Sequence, residues 1–307
     1  LVKRLGVIGL SPENGHPFSF SAIINGYDDE HMKHAGWNVI YDYLRKRDKS
    51  EFGIPNTSVT HCWTQDKTVT ESLAKACKIK HPVEDIHDLV SEIDGVLIAR
   101  DDYASHYLLA KPFLEKGIPV FIDKPLTLNL NELSYFLPFL NSGQLMSTSS
   151  FRFSHEVKEA KKQLFKDETH LLRGTIVNGW EKYGVHLIEG FAALTDFQPQ
   201  FVEYEPSFME AYVIYLKNGS KIQVNCAGSQ TPVFIMEALN KKQYIRFEVK
   251  DNFSMFKQML HSFIESIDKQ RPVVNPDDTT AIMKTLMAGL IAKSEGRRVS
   301  IDEIILP

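Results

Sequence analysis

The chain has 307 residues, 43% hydrophobic and 24% charged, with Lys plus Arg at 35 against Asp plus Glu at 39 and a formal net charge of -4. Such a composition excludes a disordered chain, a collagenous repeat and a disulfide miniprotein, and the length accommodates two domains of about 150 residues. Residues 1–150 carry 15 basic and 19 acidic side chains and the remainder 20 of each, so no basic face for nucleic acid is expected.

Cys62, Cys77 and Cys226 are odd in number and lack C-x-x-C spacing, which fits reduced, buried thiols in a cytoplasmic setting. No run approaches the roughly 20 apolar residues of a membrane span. Residues 2–8 read as a strand and not as a secretory leader.

In chain order, short apolar runs at 5–8, 58–63, 95–99, 119–122 and 144–148 read as strands alternating with helical patterns. That alternation predicts a parallel sheet wound with helices. Between 67 and 79, Val69, Leu73, Ala76 and Cys77 share one helical face. The stretch 103–116 also reads as a helix, stopped by Gly117 and kinked at Pro112. Segment 26–56 is an addition to this pattern. It carries Ile40, Tyr43, Leu44 and Arg47 at helical spacing and a basic run, Arg45-Lys46-Arg47, which predicts a helix packed on the first domain with a solvated charged face.

The second half changes period. Residues 220–226 alternate apolar and polar, 210–216 and 244–249 also read as strands, and Asn218-Gly219 between 210–216 and 220–226 is a hairpin signal. An antiparallel sheet is expected, followed by helices at 255–269 and 276–295, the latter with Asp277 and Asp278 at its dipole-favoured start. The domain boundary is set near 150, giving domains 1–150 and 151–307.

Candidate chemistry begins after the first strand, in Gly9-Leu10-Ser11-Pro12-Glu13-Asn14-Gly15-His16-Pro17. A glycine-bounded loop with proline at the first helical position presents backbone amides to a pyrophosphate at a helix N-terminus, or is an ordinary strand-to-helix turn. At the end of the second strand, Thr64 stands where dinucleotide folds usually have an acid for the ribose hydroxyls, with Gln65 and Asp66 beside it. This leaves NAD against NADP open. The buried strand 119–122 runs into Asp123-Lys124-Pro125, placing a lysine at the carboxyl end of a parallel strand, where open α/β sheets bind ligands.

With these motifs in order, the chain resembles the Gfo/Idh/MocA family of NAD(P)-dependent oxidoreductases. Asp123-Lys124-Pro125 is similar to the family's Glu-Lys-Pro, His106 stands 18 residues before the lysine as the family's histidine does, and Arg152-Phe153 is similar to its Arg-Phe pair. Gly184-Val185-His186-Leu187-Ile188-Glu189 is similar to its Gly-x-His-x-x-Asp. Lys182 stands where the family commonly has Asp, and Asp101-Asp102-Tyr103 replaces a Thr-Pro-Asn-like loop, marking a divergent subgroup.

The resemblance implies an α/β chain: an N-terminal Rossmann-type doubly wound sheet and a C-terminal α+β domain with a large, mostly antiparallel sheet. It implies hydride transfer between NAD or NADP and a sugar, polyol or nucleotide-sugar derivative, or else a dinucleotide- or sugar-sensing regulator that has lost turnover.

Lys124 and His186 are the expected acting pair, one steadying the alkoxide and the other carrying the proton. Lys182 is either a third catalytic group or an outward-turned lysine. The cofactor is expected on Gly9, Leu10, Ser11, Asn14, Gly15, His16, Thr64, Gln65, Arg100, Asp101, Asp123, Lys124 and Pro125. Arg152, Trp180, Tyr183 and His186 are expected on the substrate side. His106 reads as a structural residue, no metal site is expected, and a homo-oligomer through the second sheet is. A sheet face exposing Tyr212, Ile214 or Tyr215 would mark that interface.

Overall fold

A computed structural model describes residues 2–164 and 170–307. The elements in chain order are β1 (Lys3–Ile8), α1 (His16–Asn25), α2 (Asp29–His34), α3 (Asn38–Leu44), β2 (Thr57–Trp63), α4 (Lys67–Ala76), β3 (His81–Pro82), β4 (Gly95–Ile98), α5 (His106–Leu114), β5 (Val120–Ile122), α6 (Leu130–Ser142), β6 (Leu145–Ser147), α7 (His155–Gln163), β7 (Leu171–Ile176), α8 (Val185–Leu194), β8 (Pro199–Pro206), β9 (Glu210–Leu216), β10 (Lys221–Cys226), β11 (Phe234–Leu239), β12 (Tyr244–Glu248), α9 (Asn252–Lys269), α10 (Pro276–Glu295) and β13 (Val299–Ser300).

Two compact units result. One comprises Leu1–Asp123, Pro138–Ser147 and Asn252–Val273, the other Lys124–Leu137, Thr148–Asp251 and Val274–Pro307. The chain therefore passes between units several times, and α9, late in the sequence, belongs to the first.

The first unit holds a six-stranded sheet in the order β3-β2-β1-β4-β5-β6, parallel throughout. The order reverses between β1 and β4, the switch point at which such sheets bind ligands beyond their carboxyl ends. Strands β4 and β5 are buried at every residue, as sheets covered on both faces require. Helix α9 packs on α1 and β5, with Phe256 at 5.3 Å from Phe20 of α1 and Phe263 at 5.9 Å from Phe121 of β5 between ring centroids. The expected helix at 103–116 is a 3-10 turn at Tyr103–Ser105 followed by α5, with Pro112 confined to its last turn, where its missing N–H and ring cost least.

The second unit is built on a seven-stranded sheet, β12-β11-β7-β10-β9-β8-β13. It is mostly antiparallel, but β10 pairs with β7 in parallel, so the sheet is mixed and not wholly antiparallel. Parallel neighbours need a crossover of a dozen or more residues, which residues 177–220 supply. Helix α8 is buried at all ten positions, as expected of a helix apolar on every side; each fully buried Leu, Ile or Phe side chain contributes about 1.5–3 kcal/mol. Gly174 in β7 admits it: a Cβ there would lie 2.7 Å from Leu187.

Strand register corrects one expectation. Tyr212 and Ile214 face the interior at 1% and 0% exposure, and because side chains alternate along a strand the open face at β9 carries Tyr215. That face is polar here: Arg173 bonds Gln223, and Glu203 takes both Tyr215 and Arg298.

Candidate active site

In the first unit the carboxyl ends of four strands are tied together by side chains of the loops that follow them. Gly9 closes β1, and a Cβ on it would lie 2.4 Å from Pro17, so only glycine lets the strand end approach α1 this closely. Gln65, after β2, grips Leu10 from both sides: its Oε1 accepts from the Leu10 N–H at 2.8 Å and its Nε2 donates to the Leu10 carbonyl at 2.5 Å. After β4, Asp101 accepts from the Ser11 hydroxyl at 2.7 Å, and Arg100 forks onto Asp102 while its third nitrogen reaches Gln65. After β5, Asp123 takes Asn14 Nδ2 at 3.2 Å and His16 Nδ1 at 2.5 Å.

Inside this clamp the backbone N–H groups of Ser11, Glu13 and Gly15 make no hydrogen bond among the described residues, and Ser11 and Gly15 are buried while Glu13 is exposed. Buried unpaired amides are costly, and these two, with that of Glu13, form a cradle for an anion at the N-terminus of α1. A dinucleotide pyrophosphate fits that cradle. At the end of β2 lies a cavity of about 370 Å³ lined by Trp63, Gln65, Lys67 and Glu84 among others, the position of the adenosine half in this fold.

One expected cofactor contact is redirected. Thr64 is 4% exposed and bonds Thr70 and the Asp66 carbonyl, so its hydroxyl serves the start of α4. Asp66 is the N-cap of α4, accepting from the N–H groups of Thr68 and Val69. His106 is fully buried with Nε2 on the Arg100 carbonyl at 2.9 Å, a structural role.

The second unit contains the other cluster. Lys124, at 4% exposure, sets its Nζ 5.4 Å from the ring centre of Tyr183. The Tyr183 ring stands edge-on to His186 with 5.3 Å between centroids. His186 begins α8 one residue after Val185, and its Nδ1 lies 2.6 Å from Ser149 Oγ. Ser149 is itself fixed as the N-cap of the 3-10 turn Ser150–Phe153, accepting from Phe151 N–H, and the Phe151 ring packs 5.0 Å from the imidazole.

Behind His186, one turn along α8, Glu189 is 1% exposed and accepts from Arg152 Nε at 2.6 Å and from Thr148 at 3.0 Å. Arg152 also reaches Asp278 at 3.0 Å. Burial raises the Glu189 carboxyl above the usual range, against the opposing pull of Arg152. Arg152 therefore pairs with protein carboxylates inside its own unit, where a substrate anion or a domain-bridging carboxylate was expected; one of its terminal nitrogens, buried, has no hydrogen-bond partner.

Trp180 is core. It is 1% exposed, donates Nε1–H to the Leu286 carbonyl at 2.9 Å and stacks on Tyr212 at 4.0 Å, because the single π-turn Trp180–Gly184 aims it inward. The same turn leaves Lys182 and Glu181 exposed and sets Tyr183 over Lys124.

Ser149 is not among the expected site residues, and Gln65, expected on the cofactor, instead holds Leu10. The run Ser147-Thr148-Ser149-Ser150 just before Arg152 was the available signal. Among the described residues, no group of three or more His, Cys, Asp or Glu side chains is disposed to hold a metal ion, and no helix is long and apolar enough to cross a membrane.

Residues 39–146 match the Gfo/Idh/MocA model, an oxidoreductase family with an NAD-binding Rossmann fold. Among solved structures, scyllo-inositol dehydrogenase from Lactobacillus casei with bound cofactor NAD(H) and scyllo-inositol is similar at 13% identity, covering 98% of this chain and 100% of its own, with a TM-score of 0.77. Myo-inositol 2-dehydrogenase from Lactobacillus plantarum is 14% identical over 98% and 99% at 0.76, and a probable dehydrogenase from Thermotoga maritima 16% over 98% and 100% at 0.75. At such identities the likeness shows the fold. No curated protein sequence matches the chain.

Proposed function

Because residues 39–146 belong to the NAD-binding Rossmann fold of the Gfo/Idh/MocA oxidoreductases, we propose that this chain is an NAD(P)-dependent dehydrogenase of a polyol or sugar-like alcohol, with Lys124 and His186 as its acting pair. The observation that carries the reading is the set of buried Lys124, His186 and Ser149 with half-buried Tyr183 between the lysine and the histidine. The fold's likeness to inositol dehydrogenases, one with NAD(H) and scyllo-inositol bound, supports the substrate class.

The nicotinamide, when bound, supplies the hydride acceptor or donor. The amides of Ser11, Glu13 and Gly15 hold its pyrophosphate, and the loop carrying them is anchored to Asp123 through Asn14 and His16. Asp123 and Lys124 are consecutive, so the anchor of the cofactor loop is one peptide from the lysine. His186 Nε2 takes the proton of the reacting hydroxyl while Nδ1–H donates to Ser149, and the Lys124 ammonium steadies the alkoxide that develops. The Tyr183 ring, 5.4 Å from Nζ, holds the lysine head by a cation–π contact. The aromatic edge and the lysine also orient a hydroxylated ring.

A second reading, a sensor that binds cofactor without turnover, draws on one observation: His186 leans on a neutral serine where the family's histidine commonly has a carboxylate nearby, and Lys182 is exposed. Titrating NADH and NADPH by fluorescence and then screening inositols, sugars and nucleotide sugars for a change in nicotinamide absorbance separates the two. Turnover on a polyol supports the dehydrogenase, tight binding with no turnover favours the sensor, and no dinucleotide binding contradicts both. A homo-oligomer through the open face of the second sheet belongs to the same proposal, and a monomer by light scattering would contradict it.

A further inference from the structure

We propose that segment 26–56 builds a second small-molecule site, for a phosphorylated ligand, at the C-terminal end of α1, apart from the glycine loop. Helix α1 has ten residues and so spans about 15 Å, with the glycine loop at its N-terminus and a cavity of about 710 Å³ at the other end. Four cations line that cavity: Arg45 and Arg47 from the basic run, Lys49, and Lys78 beyond α4; Tyr27 and Phe52 line it as well, their rings 5.6 Å apart.

Local needs do not absorb these charges. Arg45 and Arg47 have carboxylate neighbours on their own segment, Asp42 at 3.0 Å and Glu51 at 3.4 Å. The side chains of Lys49 and Lys78, among the described residues, make neither an ion pair nor a hydrogen bond. The two carboxylates at the rim have other partners as well: Asp28 caps α2 and holds His31, with the charge of Lys78 acting on it from farther off, while Asp29 accepts from Tyr41. Helices α1 and α4 end nearby, yet each C-terminus offers only about half a negative charge, less than two ammonium groups bring.

The arrangement also suits bidentate binding of a phosphate. The Arg47 guanidinium lies 4.9 Å over the Phe253 ring, which fixes the plane of its fork and lowers the entropy lost on binding a phosphate bidentately. Lys78 adopts a φ of 55°, a left-handed conformation that favours glycine or asparagine, and a lysine there puts its charge at the cavity at a backbone cost. Tyr27 and Phe52 supply an apolar wall, so the ligand class is a phosphate ester with a ring or short apolar body.

The test uses the full chain saturated with NADH, titrated by calorimetry with adenosine 5′-monophosphate and separately with inorganic phosphate. Wild type is compared with the double variant Lys49→Gln/Lys78→Gln. The expected result is one site for either probe on the wild type, weakened at least about tenfold in the variant, while the variant binds NADH as the wild type does, which shows that it is folded. Equal probe affinity in the two proteins, or no binding of either probe to the wild type, overturns the proposal. If NADH itself fails to bind, the dehydrogenase reading falls while the lysine dependence of phosphate binding still decides this one.

Discussion

Ser149 Oγ lies 2.6 Å from His186 Nδ1 and is itself held by Phe151 N–H at 3.2 Å, so the orientation of the imidazole is set by a neutral hydroxyl. Ser149→Ala is expected to lower kcat about tenfold, roughly 1.4 kcal/mol of barrier, with KM little changed and Ser149→Thr restoring most of the rate. Ser149→Asp places a carboxylate against the ring and favours the imidazolium. The unprotonated Nε2 needed for alcohol oxidation then appears only at higher pH, so the acid limb of the pH–rate profile moves upward. Limbs that coincide in wild type and Ser149→Asp would show that Ser149 does not act through His186.

The Arg152–Glu189 pair supports α8 from within. Arg152→Met leaves Glu189 buried without its cation, and loss of one partner of a buried pair costs about 3–5 kcal/mol, readable as a fall in the urea midpoint. Burial already raises the Glu189 carboxyl, and Arg152 is what opposes the rise, so the variant raises it further. A carboxyl whose folded pKa exceeds its unfolded one gives stability that is present below the unfolded value and lost as pH rises through the folded value. The deficit of Arg152→Met is therefore smaller in acid and grows toward neutrality, and a deficit independent of pH would contradict the assignment.

Trp180 as core and not substrate wall makes its own prediction. Gly289 on α10 faces the indole, where a Cβ would lie 2.6 Å from ring atoms. Gly289→Ala is expected to destabilise by about 1–3 kcal/mol through overpacking and to change the near-ultraviolet circular dichroism of the native state. Unaltered stability would place Trp180 in a looser environment than its stacking on Tyr212 describes.

Burial pushes the thiols of Cys62 and Cys226 up to about 12 and raises Cys77 as well. Only thiolate attacks a disulfide reagent, so all three cysteines are expected to stay silent toward Ellman's reagent at mildly alkaline pH and to react together in denaturant. Prompt reaction of any one in the native protein would contradict its burial.

Periodicity sufficed for the parallel sheet, since β1, β2, β4 and β5 are apolar runs ending in distinctive loops, and for the β9–β10 hairpin, which Asn218-Gly219 announces. It did not suffice where tertiary partners decide. Strand β3 is two exposed residues, His81 and Pro82, with no apolar signal. The parallel pairing of β7 with β10 joins segments 50 residues apart, which no local pattern encodes. In the site, Lys124 and His186 could be singled out from sequence because their motifs are contiguous. Ser149 could not, and Gln65 was expected on the cofactor with its grip on Leu10 unforeseen, because each gains its meaning from a residue tens of positions away. Trp180, Tyr183 and Lys182 lie within four residues, and only the π-turn decides which faces the core, which faces Lys124 and which faces water.

The most direct test of the central claim follows a label from nicotinamide C4. Protein incubated with C4-deuterated NADH or NADPH, of the hydride-donating face, and a panel of inositol- and sugar-derived ketones is quenched and the products analysed by mass spectrometry. The account predicts deuterium at the new carbinol carbon for at least one ketone. In Lys124→Met and in His186→Ala, the account predicts transfer reduced about a hundredfold or more while the reduced cofactor still binds. Cofactor bound by the wild type with no label moved to any ketone, or variants that transfer label as fast as the wild type, would contradict it.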